Sequence, residues 1–260
     1  MTAPPPLLAA QGLEVSIGGQ SVVRGLDLAL HPGERLVLLG RNGVGKTTLL
    51  HTLAGLRPPD RGAVRLHGQT FPDLGPRAAA RLRGLLPQHP GDAFPATVLE
   101  IVLAGRHPHL SRWAWESEAD ERLAREALAE TGLAHCAGRD IHTLSGGERQ
   151  RAAIATLLVQ QPALYLLDEP LAHLDLNHQI SVLELFSRRA QERGAAVVMA
   201  LHDVNLAARH GDRFLLLFGD GVHALHTGIP EADDLTRLYG HPLRRITAQG
   251  QSWFVPEMAG

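Results

Sequence analysis

Only one cysteine, Cys136, stands among the 260 residues, so an intrachain disulfide framework is excluded and a reducing cytoplasm is the natural setting. Aromatic residues make up 4% of the chain, and no apolar run approaches the roughly 18–20 residues of a membrane span. The first residues, MTAPPPLLAAQG, hold no basic region and no apolar stretch of signal-peptide length, so no secretory signal is expected. A net charge of −2 offers no basic field for nucleic acid. Disorder over most of the length is excluded too, because 44% hydrophobic and 20% charged residues are ordinary globular usage.

The scarcest residue says more. Lys46 is the only lysine, beside 24 arginines. A GC-rich genome explains the arginines, and the one survivor marks a position that asks for a compact ammonium on a flexible stem.

Along the chain, strands are predicted near 12–17 and 22–30, followed by the turn His31-Pro32-Gly33-Glu34 and an apolar strand at 35–40. Residues 46–57 read as a helix with Leu49, Leu50, Leu53 and Leu56 on one face. Short strands follow near 63–67 and 84–88. Helices are expected at 97–104, 117–132, 146–160, 177–192 and 231–239, and strands at 164–167, 195–201, 213–218 and 222–227. Alternating β and α units argue for an α/β fold with a mostly parallel sheet covered by helices. The helical stretch from about 90 to 160 interrupts that alternation and reads as an inserted subdomain; residues 220–260 add terminal strands and a helix.

Three segments carry chemistry. Gly40-Arg41-Asn42-Gly43-Val44-Gly45-Lys46-Thr47, continued by Thr48, fits G-x-x-x-x-G-K-S/T after an apolar strand and at the start of a helix. Its glycines let backbone amides curl around phosphate oxygens, and the helix N-terminus adds positive potential. Lys46 can reach β- and γ-phosphates, and Thr47 can ligate Mg²⁺. Arg41 occupies a variable position where solvent exposure is the simpler expectation.

Leu164-Tyr165-Leu166-Leu167-Asp168-Glu169-Pro170 is an apolar run ending in two carboxylates. Such a run belongs at a sheet centre, and functional groups of parallel sheets collect at strand C-termini. Asp168 would serve Mg²⁺ directly or through water, and Glu169 would polarise an attacking water as general base. An acidic turn or helix cap would look alike in isolation; the phosphate loop upstream favours the catalytic pair.

Leu144-Ser145-Gly146-Gly147-Glu148-Arg149-Gln150-Arg151 opens the third segment, with Ser145 and Glu148 as a capping box. Two glycines in a first turn cost helix stability. A close approach to the backbone would justify them, a phosphate at the helix N-terminus being the natural candidate; a flexible start to a well-capped helix is the plainer reading.

In this order, the phosphate loop, LSGGERQR and LLDEP resemble the nucleotide-binding subunit of an ABC transporter, over roughly residues 10–240. Gln88 resembles the family's Q-loop glutamine at Mg²⁺, Leu174-Asp175 its D-loop and His202 its switch histidine at the γ-phosphate. The resemblance implies a P-loop NTPase core with an N-terminal antiparallel β region, in one ATPase domain spanning 1–260. It also implies a head-to-tail homodimer, in which Ser145, Gly146, Gly147 and Asp175 of one copy face ATP held on Lys46 of the other. The family often stacks adenine on an aromatic residue upstream of the phosphate loop; Ile17 stands near that place, so an aliphatic contact replaces the ring. Leu171 departs as well, where many members have Thr.

Thr97-Val98-Leu99-Glu100, Gly105-Arg106-His107-Pro108-His109 and His173-Leu174-Asp175-Leu176-Asn177-His178-Gln179 are similar to importers of iron–siderophore chelates, haem and vitamin B12. That group implies two multi-span permease subunits, a periplasmic or lipid-anchored binding protein and a place on the cytoplasmic side of the inner membrane. Among the three substrates the reading leans to cobalamin without a physical reason. Another transporter class, or a soluble ABC ATPase acting on nucleic acid or ribosomes, stays as the alternative. Fifteen histidines are scattered without a zinc pattern. Trp113 and Trp115 read equally as core or as a permease contact.

Overall fold

The computed structural model describes residues 5–88, 95–111, 114–248 and 250–257. The chain begins with strands β1 (Leu8–Ile17), β2 (Gln20–Leu30) and β3 (Arg35–Gly40), then helix α1 (Lys46–Leu53). Strands β4 (Arg61–Leu66) and β5 (Gln69–Thr70) lead to helix α2 (Phe71–Leu82) and strand β6 (Arg83–Leu86). Helices α3 (Val98–Leu103), α4 (Glu118–Glu130) and α5 (Gly146–Gln160) precede strand β7 (Leu164–Asp168). Helix α6 (Leu176–Arg193), strand β8 (Ala196–Ala200), helix α7 (Val204–His210) and strands β9 (Arg213–Gly219) and β10 (Val222–Thr227) follow. Helix α8 (Ala232–Tyr239) and the hairpin β11 (Leu243–Ala248) and β12 (Gln251–Pro256) end it.

Two sheets form the body. One is antiparallel, in the order β2-β1-β4-β5. The other runs β10-β9-β3-β8-β7-β6, parallel throughout except for the β10–β9 edge pair. Strands β7 and β8 are buried at every position, as expected of a parallel sheet covered on both faces. The period-2 alternation then divides each strand between two cores. Val37, Leu39, Tyr165, Leu167, Val197 and Met199 join the core shared with α3, α4, α5 and α6. Leu36, Leu38, Leu164, Leu166 and Val198 join the core that holds Leu49, Leu50 and Leu53 of α1 and the inward face of the antiparallel sheet. Helix α1 is thus clamped between two sheets, which fixes the loop in front of it.

The α/β reading, with its antiparallel N-terminal β region, agrees with this architecture. Two helices escaped the sequence reading. Helix α2 hides behind Gly75 and Pro76, and the structure kinks there, with Gly75 at φ 72°. Helix α7 is only seven residues long, and Asp203 caps it by accepting from the Asn205 and Leu206 amides. Helix α1 stops at Leu53, short of the predicted 57. Trp115 is 89% exposed and belongs to no core; Trp113 lies outside the described residues. The terminal hairpin is tied to α7 through Asn205, which accepts from the Phe254 amide at 2.7 Å and donates to its carbonyl at 3.2 Å. None of the described helices is long and apolar enough to cross a membrane.

Candidate functional site

The site assembles where the parallel sheet presents its C-terminal strand ends. Residues 41–45 leave β3 and turn into α1. Gly45 stands at φ 103°, and a Cβ there would come within 2.4 Å of Val22 Cγ2, so glycine is required on both counts. Lys46 is buried at the first position of α1, and its Nζ donates to the Gly40 carbonyl at 2.9 Å and the Arg41 carbonyl at 3.2 Å. Burial lowers its pKa, while the charges of Glu169 and Asp168 pull it back up. The Arg41 residue is exposed.

The next three strands in the sheet, β8, β7 and β6, each deliver one more group. Glu169 follows β7 directly and adopts φ 49°, a left-handed turn that bends its side chain out of the strand. Its Oε2 accepts from Gln88 Nε2 at 3.0 Å, two residues after β6. Its Oε1 lies 2.6 Å from His202 Nε2, two residues after β8. One carboxylate is therefore held from both sides by side chains of its two neighbouring strands.

Asp168, the last residue of β7, is fully buried, and neither of its carboxylate oxygens meets a hydrogen-bond donor in proper geometry among the described residues. Burial pushes its pKa up; the Thr47 hydroxyl beside it offsets part of this, the Glu169 charge adds to it, and His51 and Lys46 oppose it. An orphaned carboxylate beside a threonine hydroxyl is a hard oxygen donor set, the chemistry that Mg²⁺ selects. The residues fit that ion.

A cleft of about 380 Å³ opens between the phosphate loop and the Gln88–Glu169 pair, lined by Ile17, Asn42, Gly43, Gly45, Lys46, Thr47, Thr48, Gln88 and Glu169; Asp168 and His202 do not line it. Ile17 is 51% exposed and supplies an aliphatic wall. Ser145, Gly146, Gly147 and Asp175 do not line this cleft. The Ser145–Glu148 capping box is formed in both directions. Within the chain, the close approach at Gly147 is the His173 carbonyl, 2.9 Å from where a Cβ would stand, while Gly146 has ordinary space. The fold itself thus accounts for one of the two glycines. Sequence reasoning missed Gln150, which is buried and donates from Nε2 to the Pro170 carbonyl at 3.1 Å; it ties α5 to the turn that carries Glu169. The fold also gathers ligand atoms of His135, Cys136 and Glu148 within 4.8 Å of one another, which no sequence spacing suggested. Arg139 already sits there, 3.5 Å from both the Cys136 sulfur and Glu148.

Residues 23–172 match the protein-family model for the ABC transporter. The hemin import ATP-binding protein HmuV of Gloeobacter violaceus is 46% identical over 232 residues, covering 86% of this chain and 82% of that protein. The cobalamin import ATP-binding protein BtuD of Halobacterium salinarum is 39% identical over 216 residues, 83% of this chain and 54% of that longer protein. Among solved structures, a chain in an inward-facing conformation, assigned to the metal-chelate type of ABC transporter, superposes with a TM-score of 0.83. It is 30% identical and covers 97% of this chain and 98% of its own length. A dimeric ATP-binding cassette in a post-hydrolysis state with ADP and Pi gives a TM-score of 0.74 at 27% identity, over 85% of this chain and 98% of its own.

Proposed function

The chain belongs to the ABC transporter family as an ATP-binding subunit, and we propose that it hydrolyses ATP to drive import of a metal chelate through separate membrane subunits. The observation that carries this reading is the Gln88–Glu169–His202 cluster, of which Gln88 and Glu169 line the phosphate-loop cleft. Lys46 binds the β- and γ-phosphates, and the loop from Gly40 to Thr48, Arg41, Asn42, Gly43 and Val44 included, wraps them with backbone amides. Thr47, Asp168 and Gln88 hold Mg²⁺, which when bound neutralises charge on the transferred phosphoryl group. Glu169 takes the proton of the attacking water, while Gln88 and His202 keep its carboxylate aimed. Ile17 packs on adenine without a ring.

The site is completed in a head-to-tail homodimer. Ser145, Gly146, Gly147 and Asp175 of one copy face the ATP on Lys46 of the other, and their position away from the chain's own cleft supports this. The helical region from about 90 to 160 passes the motion to two permease subunits on the cytoplasmic side of the inner membrane. A periplasmic or lipid-anchored binding protein delivers the substrate. Haem leads over cobalamin among the candidate chelates, because the haem-import relative is more similar than the cobalamin-import one; this reverses the lean of the sequence reading.

Uptake of labelled haem, cobalamin and ferric siderophore in a strain lacking the gene tests the proposal. A defect in one of them, restored by the wild-type gene but not by Glu169→Gln, is expected. Normal uptake of all three would refute the chelate-import reading.

A further inference from the structure

In the segment His173–Gln179 the proposed hydrolysis uses only Asp175, and His178 lies directly against it. Asp175 caps α6, its Oδ1 accepting from the His178 amide at 2.9 Å and lying 2.8 Å from His178 Nδ1. On the other side of the ring, His178 Nε2 lies 2.7 Å from Arg151 Nη1. A guanidinium only donates. Nε2 therefore accepts, the ring is neutral, and its one proton sits on Nδ1 and is donated to Asp175.

Arg151 lies on α5, the helix that Ser145 and the two glycines open. Its remaining contacts are weak: Nη1 reaches the Thr131 carbonyl at 3.4 Å, and Nε has no partner among the described residues. Other polar groups near the ring are engaged elsewhere. Glu130, which lines the same small cavity, is occupied by Arg189 at 2.7 and 2.8 Å, and Ser181 donates to the Asn177 carbonyl at 2.9 Å. The imidazole thus adds a direct side-chain link from Asp175 to α5, beside the Gln150–Pro170 hydrogen bond and the packing of His173 on Gly147.

We infer that His178 is a positioning residue whose neutral ring ties Asp175 to Arg151, so that the Asp175 loop and the Ser145-Gly146-Gly147 helix start move as one body. The inference rests on the composite-site reading above, since both segments would serve the partner copy's ATP.

Two variants separate the ends of the link. His178→Asn keeps a donor near the Nδ1 position and loses Arg151; His178→Gln reaches toward Arg151 and loses Asp175. Each should lower kcat on the order of tenfold, the worth of one hydrogen bond to a charged group, with KM for ATP unchanged. Lower thermal stability with kcat unchanged, or a raised KM for ATP in place of the lowered kcat, would overturn the inference. Nitrogen-15 NMR of the full chain at neutral pH supplies a readout independent of turnover. A pyrrole-like Nδ1 and a pyridine-like Nε2 on His178 are expected, and the opposite tautomer or a charged ring would overturn the link. A wild-type chain that hydrolysed no ATP would refute the hydrolysis reading instead, with the NMR result still deciding the tie.

Discussion

Replacing Asp168 by Asn should make the metal-free protein more stable while abolishing its hydrolysis. The side chain is fully buried at the end of β7, and both carboxylate oxygens lack a donor in proper geometry among the described residues. Burial raises its pKa, and the Thr47 hydroxyl, His51 and Lys46 offset this only in part. A near-isosteric amide removes the buried charge. Leaving a buried polar group unsatisfied costs about 1–3 kcal/mol, and more when it is charged. The amide keeps some of that penalty, so a gain of about 1–2 kcal/mol is expected from the same consideration. At this chain length each kcal/mol moves Tm by about 2–4 °C, giving a rise of about 2–8 °C. The sign with pH follows from the direction of the shift. A carboxyl with a raised folded-state pKa favours folding below its unfolded value of 3.8, and that contribution is lost as pH rises through the folded value. The variant's advantage should therefore be largest at pH 8 and shrink toward pH 4. Thermal unfolding at several pH values, with and without Mg²⁺ and ATP, measures this, and phosphate release measures the lost activity. A variant less stable than wild type at pH 8 without metal would refute the orphaned-carboxylate argument.

Ser145→Arg should leave ATP binding by the isolated subunit intact and remove the steep rise of ATPase activity with protein concentration; loss of binding by the monomer would contradict the in-trans role. Gly45→Ala should lose nucleotide binding and lower Tm, because the φ of 103° and the Val22 contact both resist a Cβ; calorimetric titration with ATP checks it. Asp120 is held at about 2, chiefly by the Ser117 amide and hydroxyl, with Arg106 adding to them. Its lowered pKa gives stability that is full above the ordinary value of 3.8 and lost as pH falls through about 2. Urea midpoints of Asp120→Asn should lose that part of the acid dependence.

The phosphate loop and the acidic strand end were legible because each places unusual chemistry, a lone lysine or paired carboxylates, beside a plain apolar strand. The strands β3, β7 and β8 announced themselves by burial on both faces. The assembly of Gln88, Glu169 and His202 was not legible from spacing, since it depends on the strand order β8-β7-β6 and on the left-handed turn at Glu169. Helix α2 was hidden because Gly75 and Pro76 signal a break that the chain absorbs as a kink. Gln150 carried no signal, because an amide inside a charged helix start reads as solvated until Pro170 folds back onto it. The glycine pair was read as room for a phosphate, whereas the structure fills one of the two places with the His173 carbonyl.

The central claim is that Glu169 is the general base. Glu169→Gln keeps the shape and leaves Lys46 and the phosphate loop untouched. The decisive measurement is the rate of phosphate release at saturating Mg²⁺ and ATP beside the ATP affinity of the same preparation. The account predicts retained binding and a loss of turnover of about 10²–10⁴-fold. Near-normal turnover would contradict it and remove Glu169 from that role.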